Sequence, residues 1–411
     1  MTMSAAASRL TVSVGAIALL TVMSALGQFA TTVYLPSLPA MAVALNASPA
    51  AMQQTLTAFL IAFGLGQLLV GPLSDRFGRR RVLFAGLAVF LAGTVQCALA
   101  GDVAVLLAGR ALQALGASAS VVTARAAVRD SFEGAEMARV MGFISIVFGI
   151  VPGFAPLIGG LLQESFGWTA AFWAMAVFAL GVLAASWLAL PETNARPLPA
   201  LRLGNFVGGY GPMLSSWHFM GHALLAGAVF GALFSFLSGS PGLYIEHLGV
   251  SPAEYGIYPP ITIFGSMLGG VVTGRMAGRW SVSTLLIIGL AFAVLGSGAM
   301  LAMSLGGWMT PVSVTAAVFV FVVSFGFCMP TTMSAAMAGF GHRAGSAAAL
   351  IGFIQMAGSA AGPVCVGLLS GLGRHAFPVS MAGFSALAVL LWLGLRIGAG
   401  KPALAGPGES G

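Results

Sequence analysis

Residues 71–81 read GPLSDRFGRRR and carry five charged side chains: Asp75, Arg76, Arg79, Arg80 and Arg81. The whole chain of 411 residues holds only 17 Lys and Arg and 10 Asp and Glu. The 64 residues from Thr11 to Ser74 contain none of these four types. At 7%, charge lies far below the roughly 25% of soluble proteins, and 58% of the chain is apolar. Such a composition cannot supply the polar exterior that a water-soluble domain needs. Apolar runs of about 18 or more residues mark membrane-crossing helices, and here they fill most of the length. The sequence reads as an all-α polytopic membrane protein.

A crossing takes about 20 residues, so each long uncharged run must hold two crossings and a turn. Thr11–Ser74 divides at YLPSLPAMAVALNASP, where Pro36, Pro39, Asn46 and Pro49 interrupt it; Trp280–His342 divides at LGGWMTP. Twelve spans result, near 10–32, 50–74, 81–100, 103–126, 140–163, 168–190, 216–240, 252–276, 282–304, 311–338, 345–370 and 376–397. The first run has no small-residue cleavage site, so it reads as a retained helix rather than a signal peptide. An even number of spans places both termini on one side.

The basic residues then sort by side. Arg9, Arg76, Arg79, Arg80, Arg81, Arg125, Arg129, Arg139, Arg196, Arg202, Arg275, Arg279, Arg343, Arg396 and Lys401 fall on the side of the termini, 15 of the 17. Arg374 alone lies opposite, and Arg110 lies inside span 4. Basic loops face the cytoplasm, so both termini are expected there. The formal charge of +7 is thus a topology signal, and no nucleic-acid partner is needed to explain it.

The chain also repeats. Ser48-Pro49-Ala50 recurs as Ser251-Pro252-Ala253, and the same shift carries Gly71 onto Gly274 and Arg76 onto Arg279. MGFI at 141–144 is answered by IGFI at 351–354. Two six-helix bundles are expected, residues 1–193 and 214–400, joined by a polar cytoplasmic linker at 194–213 and followed by a tail at 401–411. Paired six-span halves are a transporter design with the substrate site between them.

The opening stretch falls in the turn between spans 2 and 3. It resembles the signature loop of the major facilitator superfamily, G-x-L-x-D-R-x-G-R-R, at Gly71, Leu73, Asp75, Arg76, Gly78, Arg79 and Arg80. The resemblance implies the twelve-helix major facilitator fold. It also implies a cytoplasmic latch built from Gly71, Asp75, Arg76, Gly78 and Arg79, with Gly71 and Gly78 permitting a tight turn. GRALQALGASA (109–119) resembles the R-x-x-Q-x-x-G element of proton-linked members and sets Arg110 and Gln113 on one helix face. A cation in mid-membrane costs about 2.5–3.5 kcal/mol on insertion scales and normally faces a cavity. GIVPGFAPLIGG (149–160) resembles the antiporter signature of span 5, with Pro152, Pro156, Gly159 and Gly160 shaping a smooth packing surface and Ala155 in place of a usual glycine.

TTVYLPSLPA (31–40), ARAAVRD (124–130), LPET (190–193) and FLSGSPGLYIEHLGVSPAEYG (236–256) are similar to the Bcr/CflA drug-efflux branch of that superfamily. Where that branch has an acid before x-Y-L-P, this chain has Thr32. All ten acids fall near span ends: Asp75, Asp130, Glu133, Glu136, Glu192 and Glu409 on one side, Asp102, Glu164, Glu246 and Glu254 on the other. A buried carboxylate commonly carries the proton and anchors cationic drugs, so neutral or anionic amphipathic compounds are the expected cargo. Proton coupling must then use Asp75, an edge carboxylate or a histidine such as His222, or be absent.

Thr32 and Tyr34 are expected to line the outer end of span 1. Gln28, Gln355, Phe230, Phe234, Phe236, Tyr258 and Phe327 are candidates for an apolar pocket. His218 and His222 are spaced as a metal pair but lack a third ligand, and Cys97, Cys328 and Cys365 read as small hydrophobes. No nucleophile triad, phosphate loop or cofactor motif points to catalysis. The sequence thus suggests a monomeric drug exporter exchanging substrate for protons. An uptake permease and a non-transporting membrane sensor are the competing readings.

Overall fold

Serine and proline open two helices at matching places in the chain. Ser48 precedes Pro49, and its hydroxyl accepts from the Ala51 amide at 3.2 Å, satisfying a donor of the first turn that has no helical partner. Ser251 precedes Pro252 and accepts from the Glu254 amide, also at 3.2 Å. The repeated Ser-Pro-Ala is therefore one capping device used once in each half. Asp102, Ser216, Ser281 and Thr310 cap four further helices.

The computed structural model describes residues 14–194, 210–340 and 344–399. Among the described residues, twelve helices are long and apolar enough to cross a membrane. In the first half they are α1 (Val14–Thr32), α2 (Pro49–Phe77), α3 (Arg79–Ala98), α4 (Val103–Ser131), α5 (Gly134–Phe166) and α6 (Thr169–Ala189). The second half holds α7 (Trp217–Pro241), α8 (Tyr258–Met276), α9 (Val282–Gly306), α10 (Pro311–Met337), α11 (Ala344–Leu368) and α12 (Ala376–Ala399). Within the halves, α4 packs on α3 and α2, α7 on α11 and α12, and α10 on α9 and α8. Between them, α2 lies along α11, and α5 lies against α8 and its lead-in turn Pro252–Tyr255. MGFI and IGFI fall on α5 and α11, equivalent helices of the two halves. Most of the expected linker, 195–209, the tail at 401–411, and Arg9, Arg343 and Lys401 lie outside the described residues.

The helices outrun the expected spans at their polar ends. Span 2 was expected to close at 74 and span 4 at 126, but α2 continues to Phe77 and α4 to Ser131. With 29 residues at about 1.5 Å each, α2 is about 43 Å long, against a hydrocarbon core of about 30 Å. Hydropathy reports the part that meets lipid. The extra turns carry Asp75, Arg76 and Arg129 on helix rather than loop.

Small residues let backbones touch where the halves meet. A Cβ on Gly160 would overlap the carbonyl oxygen of Pro252 in the second half, and, within the first half, one on Gly159 would overlap that of Val33 just past α1. Pro156, one turn before Gly160, lies inside α5 with its carbonyl against Gly256 of the second half. We expect Gly160→Val to lower the thermal midpoint of the purified protein, at an overpacking cost of about 1–3 kcal/mol. Gly181→Val on α6, where an added Cβ meets nothing within 4 Å, should leave the midpoint unchanged. Equal midpoints for the two variants in a thermal-shift assay would remove the close approach as a requirement.

Candidate functional site

At the arginine-rich end, the α2–α3 junction within residues 71–81 is tied to the segment just past α6. The side chain of Arg79 pairs with Asp75 one turn earlier on the chain and donates from Nη1 to Ser74 Oγ at 2.7 Å. Its Nε donates to Asp130 Oδ2 at 2.9 Å, so one guanidinium holds the ends of α2 and α4 together. Glu192, just past α6, accepts from the Arg79 and Arg80 amides at 2.9 and 3.1 Å. A carboxylate there meets the positive end of the α3 dipole and two of its free donors. Asn194 donates to the Asp75 carbonyl at 2.8 Å, and Thr193 to Asp130 at 3.2 Å.

Gly78 makes this packing feasible. Its φ is +97°, and a Cβ would meet Glu192 Oε2 at 2.5 Å. Gly71 plays no part in the turn: it sits inside α2, and a Cβ there meets nothing within 4 Å. Arg76, expected in the latch beside Asp75, instead lies exposed with its guanidinium 5.1 Å from the Phe77 ring. Among the described residues, the hydrogen bonds of Asp75 and Arg79 all stay within the first half. Glu192, Asp130 and Asn194 were not among the expected site residues. Their signal was the pair of stretches ARAAVRD and LPET, which bring two acids to the same end of the fold as the arginines.

Arg110 was expected to face a cavity, and the structure places it elsewhere. It is fully buried inside the first half. Its guanidinium carbon lies 4.1 Å from the Tyr34 ring centroid and 4.2 Å from that of Phe59. Nη1 donates to the Ala30 carbonyl at 3.0 Å and to Gln113 Oε1 at 2.5 Å. Gln113 in turn donates to Thr94 Oγ1 at 2.8 Å and reaches Met175 Sδ at 3.2 Å. Tyr34 OH is 3.1 Å from Thr55 Oγ1. The charge is thus covered by two aromatic faces and a polar chain, with no carboxylate beside it. Helical spacing put Arg110 and Gln113 on one face, but spacing does not say whether that face turns to the seam or into its own half.

The seam itself holds a cavity of about 150 Å³ partway along the helices. Gln28 and Thr31 of α1, Phe63 of α2, Pro152 of α5, Phe230, Phe234 and Phe236 of α7, Thr262 and Ser266 of α8 and Phe325 of α10 are among its walls. None of its lining residues is charged. Of the expected pocket residues, Gln28, Phe230, Phe234 and Phe236 are present. Thr32, Tyr34, Tyr258, Phe327 and Gln355 do not line it. Thr32 turns inward and bonds the Gln28 carbonyl at 3.3 Å, leaving its neighbour Thr31 at the cavity. His218 and His222 each spend a ring nitrogen on a backbone carbonyl, of Ala335 at 3.0 Å and of His218 at 2.8 Å.

At the end away from the arginine cluster the halves are joined. Gln53 of α2 donates to the Ser238 carbonyl of α7 at 2.9 Å. Glu164 of α5 accepts from Ser251 Oγ and the Ala253 amide at 3.3 and 3.2 Å. At the arginine-rich end a larger space of about 460 Å³ lies among α2, α4, α5 and α11.

Two six-helix halves around an uncharged cavity, joined at one end and parted at the other, define a two-halved membrane transporter. The chain matches the Major Facilitator Superfamily over residues 17–363, and it belongs to that superfamily. It is 33% identical over 335 residues, 80% of this chain and 82% of the other, to an uncharacterized MFS-type transporter, YdgK, of Bacillus subtilis (strain 168). It is 29% identical over 383 residues to multidrug resistance protein D of Escherichia coli (strain K12), covering 93% of this chain and 96% of that one. A chloramphenicol resistance protein of Pseudomonas aeruginosa is 29% identical over 314 residues, 76% of this chain and 74% of the other. The crystal structure of a D-xylose–proton symporter shares the fold, with a TM-score of 0.72 at 15% identity over 92% of this chain and 97% of that one. The chain is a transporter of the superfamily's drug-resistance branch and not an enzyme.

The sandwich around Arg110 makes a discriminating prediction. Arg110→Lys keeps the charge but loses the planar group that both rings cover, and should cost about 2 kcal/mol. Arg110→Met keeps much of the bulk and removes the buried charge, so its thermal midpoint should lie above that of Arg110→Lys. A lysine variant as stable as the parent would reduce the two rings to space-fillers.

Proposed function

We propose that this protein exports small amphipathic compounds, neutral or bearing an anionic group, across a bacterial inner membrane in exchange for protons. The uncharged, phenylalanine-rich cavity between the halves carries this reading. A cationic drug would enter it with no carboxylate to offset the loss of hydration, whereas an aromatic neutral compound gains apolar contact and a few polar partners. Gln28 offers the amide among those partners, and Thr31 and Ser266 offer hydroxyls. Relatives named for chloramphenicol, bicyclomycin and multidrug resistance support drug export.

The distribution of basic residues puts the arginine-rich end, and both termini, in the cytoplasm. The structure is then the state open to the cytoplasm and closed outside. Residues 1–193 rock against 214–400, and the monomer suffices because each chain encloses its own cavity. Asp75 and Arg79 brace the cytoplasmic end of the first half, where their exchange of partners biases the equilibrium between the two states. With the carboxylates at helix ends, protons are carried by edge groups such as Asp75 and Glu164 rather than by a group in the cavity. One charge moving down about 100 mV supplies roughly 2.3 kcal/mol, enough for about a fiftyfold gradient of a neutral solute.

Inverted membrane vesicles test the proposal. Radiolabelled chloramphenicol, a neutral probe, should accumulate when the vesicles are energised and leak away on addition of a protonophore. Asp75→Asn, expressed to the same level, should lower that accumulation by roughly tenfold, a change of about 1.4 kcal/mol. Equilibration without accumulation would favour a facilitator, a reading that the uncharged cavity also allows. Complete absence of flux for neutral and anionic probes alike would favour a sensor.

A further inference from the structure

Among the described residues, four polar side chains line the cavity between the halves: Gln28, Thr31, Thr262 and Ser266. Three of them have already committed their protons. Thr31 Oγ1 donates to the Gly27 carbonyl at 2.7 Å, Thr262 Oγ1 to that of Pro259 at 2.8 Å and Ser266 Oγ to that of Ile263 at 2.8 Å. A hydroxyl has one proton and two lone pairs, and a carbonyl only accepts. Each of these three oxygens therefore has a lone pair left for a ligand and no proton. Turning the proton inward would forfeit the backbone bond that it now makes.

Gln28 is the exception. It is 7% exposed, and among the described residues its carboxamide makes no hydrogen bond. Buried amides ordinarily have partners, and this one lies in the cavity wall with two donors and an acceptor free. The lining is thus rich in acceptors and poor in donors, the wrong balance for an anion. A carboxylate or sulfonate brings acceptors alone and would meet only the Gln28 amide after losing its hydration. A neutral molecule that brings O–H and N–H groups finds a lone pair for each, and Gln28 can take its carbonyl.

A volume of about 150 Å³ suits one aromatic ring. Longer molecules have room along α2, where Gly64 and Gln67, within about a turn of Phe63, face the larger space at the arginine-rich end.

We propose that this cavity selects neutral aromatic molecules by the hydrogen-bond donors they carry. The oxygens of Thr31, Thr262 and Ser266 accept from the substrate's hydroxyl and amide protons, and Gln28 is the specificity-determining group for its carbonyl. The inference rests on the transport reading above for the place of the substrate, and it ranks the neutral class over the anionic one.

Thiamphenicol and florfenicol form the discriminating pair. Both are neutral one-ring amides, and a terminal hydroxyl of the first is a fluorine in the second. Fluorine keeps the size, removes the donor and adds apolar character, so a cavity selecting on apolar contact alone ranks florfenicol first. The purified full chain in lipid nanodiscs is assayed for displacement of tritiated chloramphenicol. Thiamphenicol should displace it at a roughly three- to tenfold lower concentration than florfenicol. The ratio should fall towards one in at least one of Thr31→Val, Thr262→Val and Ser266→Ala, which remove an oxygen and keep most of the bulk. Gln28→Leu should weaken both phenicols roughly tenfold and preserve their ratio, since both carry the amide. It should melt no lower than the parent, because it removes an unpartnered polar group. The anionic hemisuccinate ester of chloramphenicol should displace more weakly than chloramphenicol itself.

Florfenicol equal to or ahead of thiamphenicol, an unchanged ratio in all three hydroxyl variants, unchanged affinity in Gln28→Leu or tighter displacement by the hemisuccinate overturns the proposal. So does the absence of displaceable chloramphenicol binding. A thiamphenicol preference in binding, with no accumulation of chloramphenicol by energised vesicles, would defeat the transport reading and leave the donor rule standing. Accumulation without the preference would do the reverse.

Discussion

Hydrocarbon excludes ionised side chains unless they are covered or paired, and this constraint orders the whole molecule. The acids among the described residues, Asp75, Asp102, Asp130, Glu133, Glu136, Glu164, Glu192, Glu246 and Glu254, all stand at or beyond helix ends. Arginines crowd one end, where Arg79 is shared between two carboxylates. What remains between the halves is a cavity without charge. Electrostatics here acts mainly by absence, leaving shape, aromatic contact and a few amide and hydroxyl groups to recognise a substrate.

Arg110 shows how the constraint can be met without a counter-ion. Its guanidinium carbon lies over the rings of Tyr34 and Phe59, and its Nη1 donates to Gln113 and the Ala30 carbonyl, while Nε and Nη2 have no hydrogen-bond partner among the described residues. Pairing it with a buried carboxylate would have needed a second costly desolvation. The quadrupoles of two rings supply negative faces without adding a titratable group to the interior. The same residues join α1, α2 and α4, and through Gln113 reach Thr94 on α3 and Met175 on α6.

The architecture was legible because membrane helices declare themselves by length and hydropathy, and caps by their chemistry. Ser48-Pro49 and Ser251-Pro252 announced the same helix start twice, and the structure uses them identically. Gly78 was legible as the turn residue, and its φ of +97° gives the reason. Gly71 was not separable from it, since a glycine in a motif does not say whether a turn or a helix interior holds it. The cavity was half legible. Gln28 and three phenylalanines of α7 were anticipated, yet Thr32 and Thr31 differ by a rotation of about 100° that sequence cannot assign when every face of the helix is apolar. Periodicity loses its power where lipid, partner helix and cavity all accept the same residues.

Rocking of one half against the other demands that each half be stiff and that the contacts between them be few and separable. The first half meets the first demand from inside, through the five helices that Arg110 and Gln113 connect, and at its basic end through Arg79 and Glu192. The second demand is met at the far end. There Gln53 holds one carbonyl, and Glu164 holds one hydroxyl and one amide across the seam. The Gln53 bond is neutral and part-buried, and the Glu164 bonds are single-charge contacts at an exposed rim, where each contributes about 1 kcal/mol or less net of water. Arg110 was expected to face the cavity between the halves, and its burial inside the first half makes it part of that half's own packing.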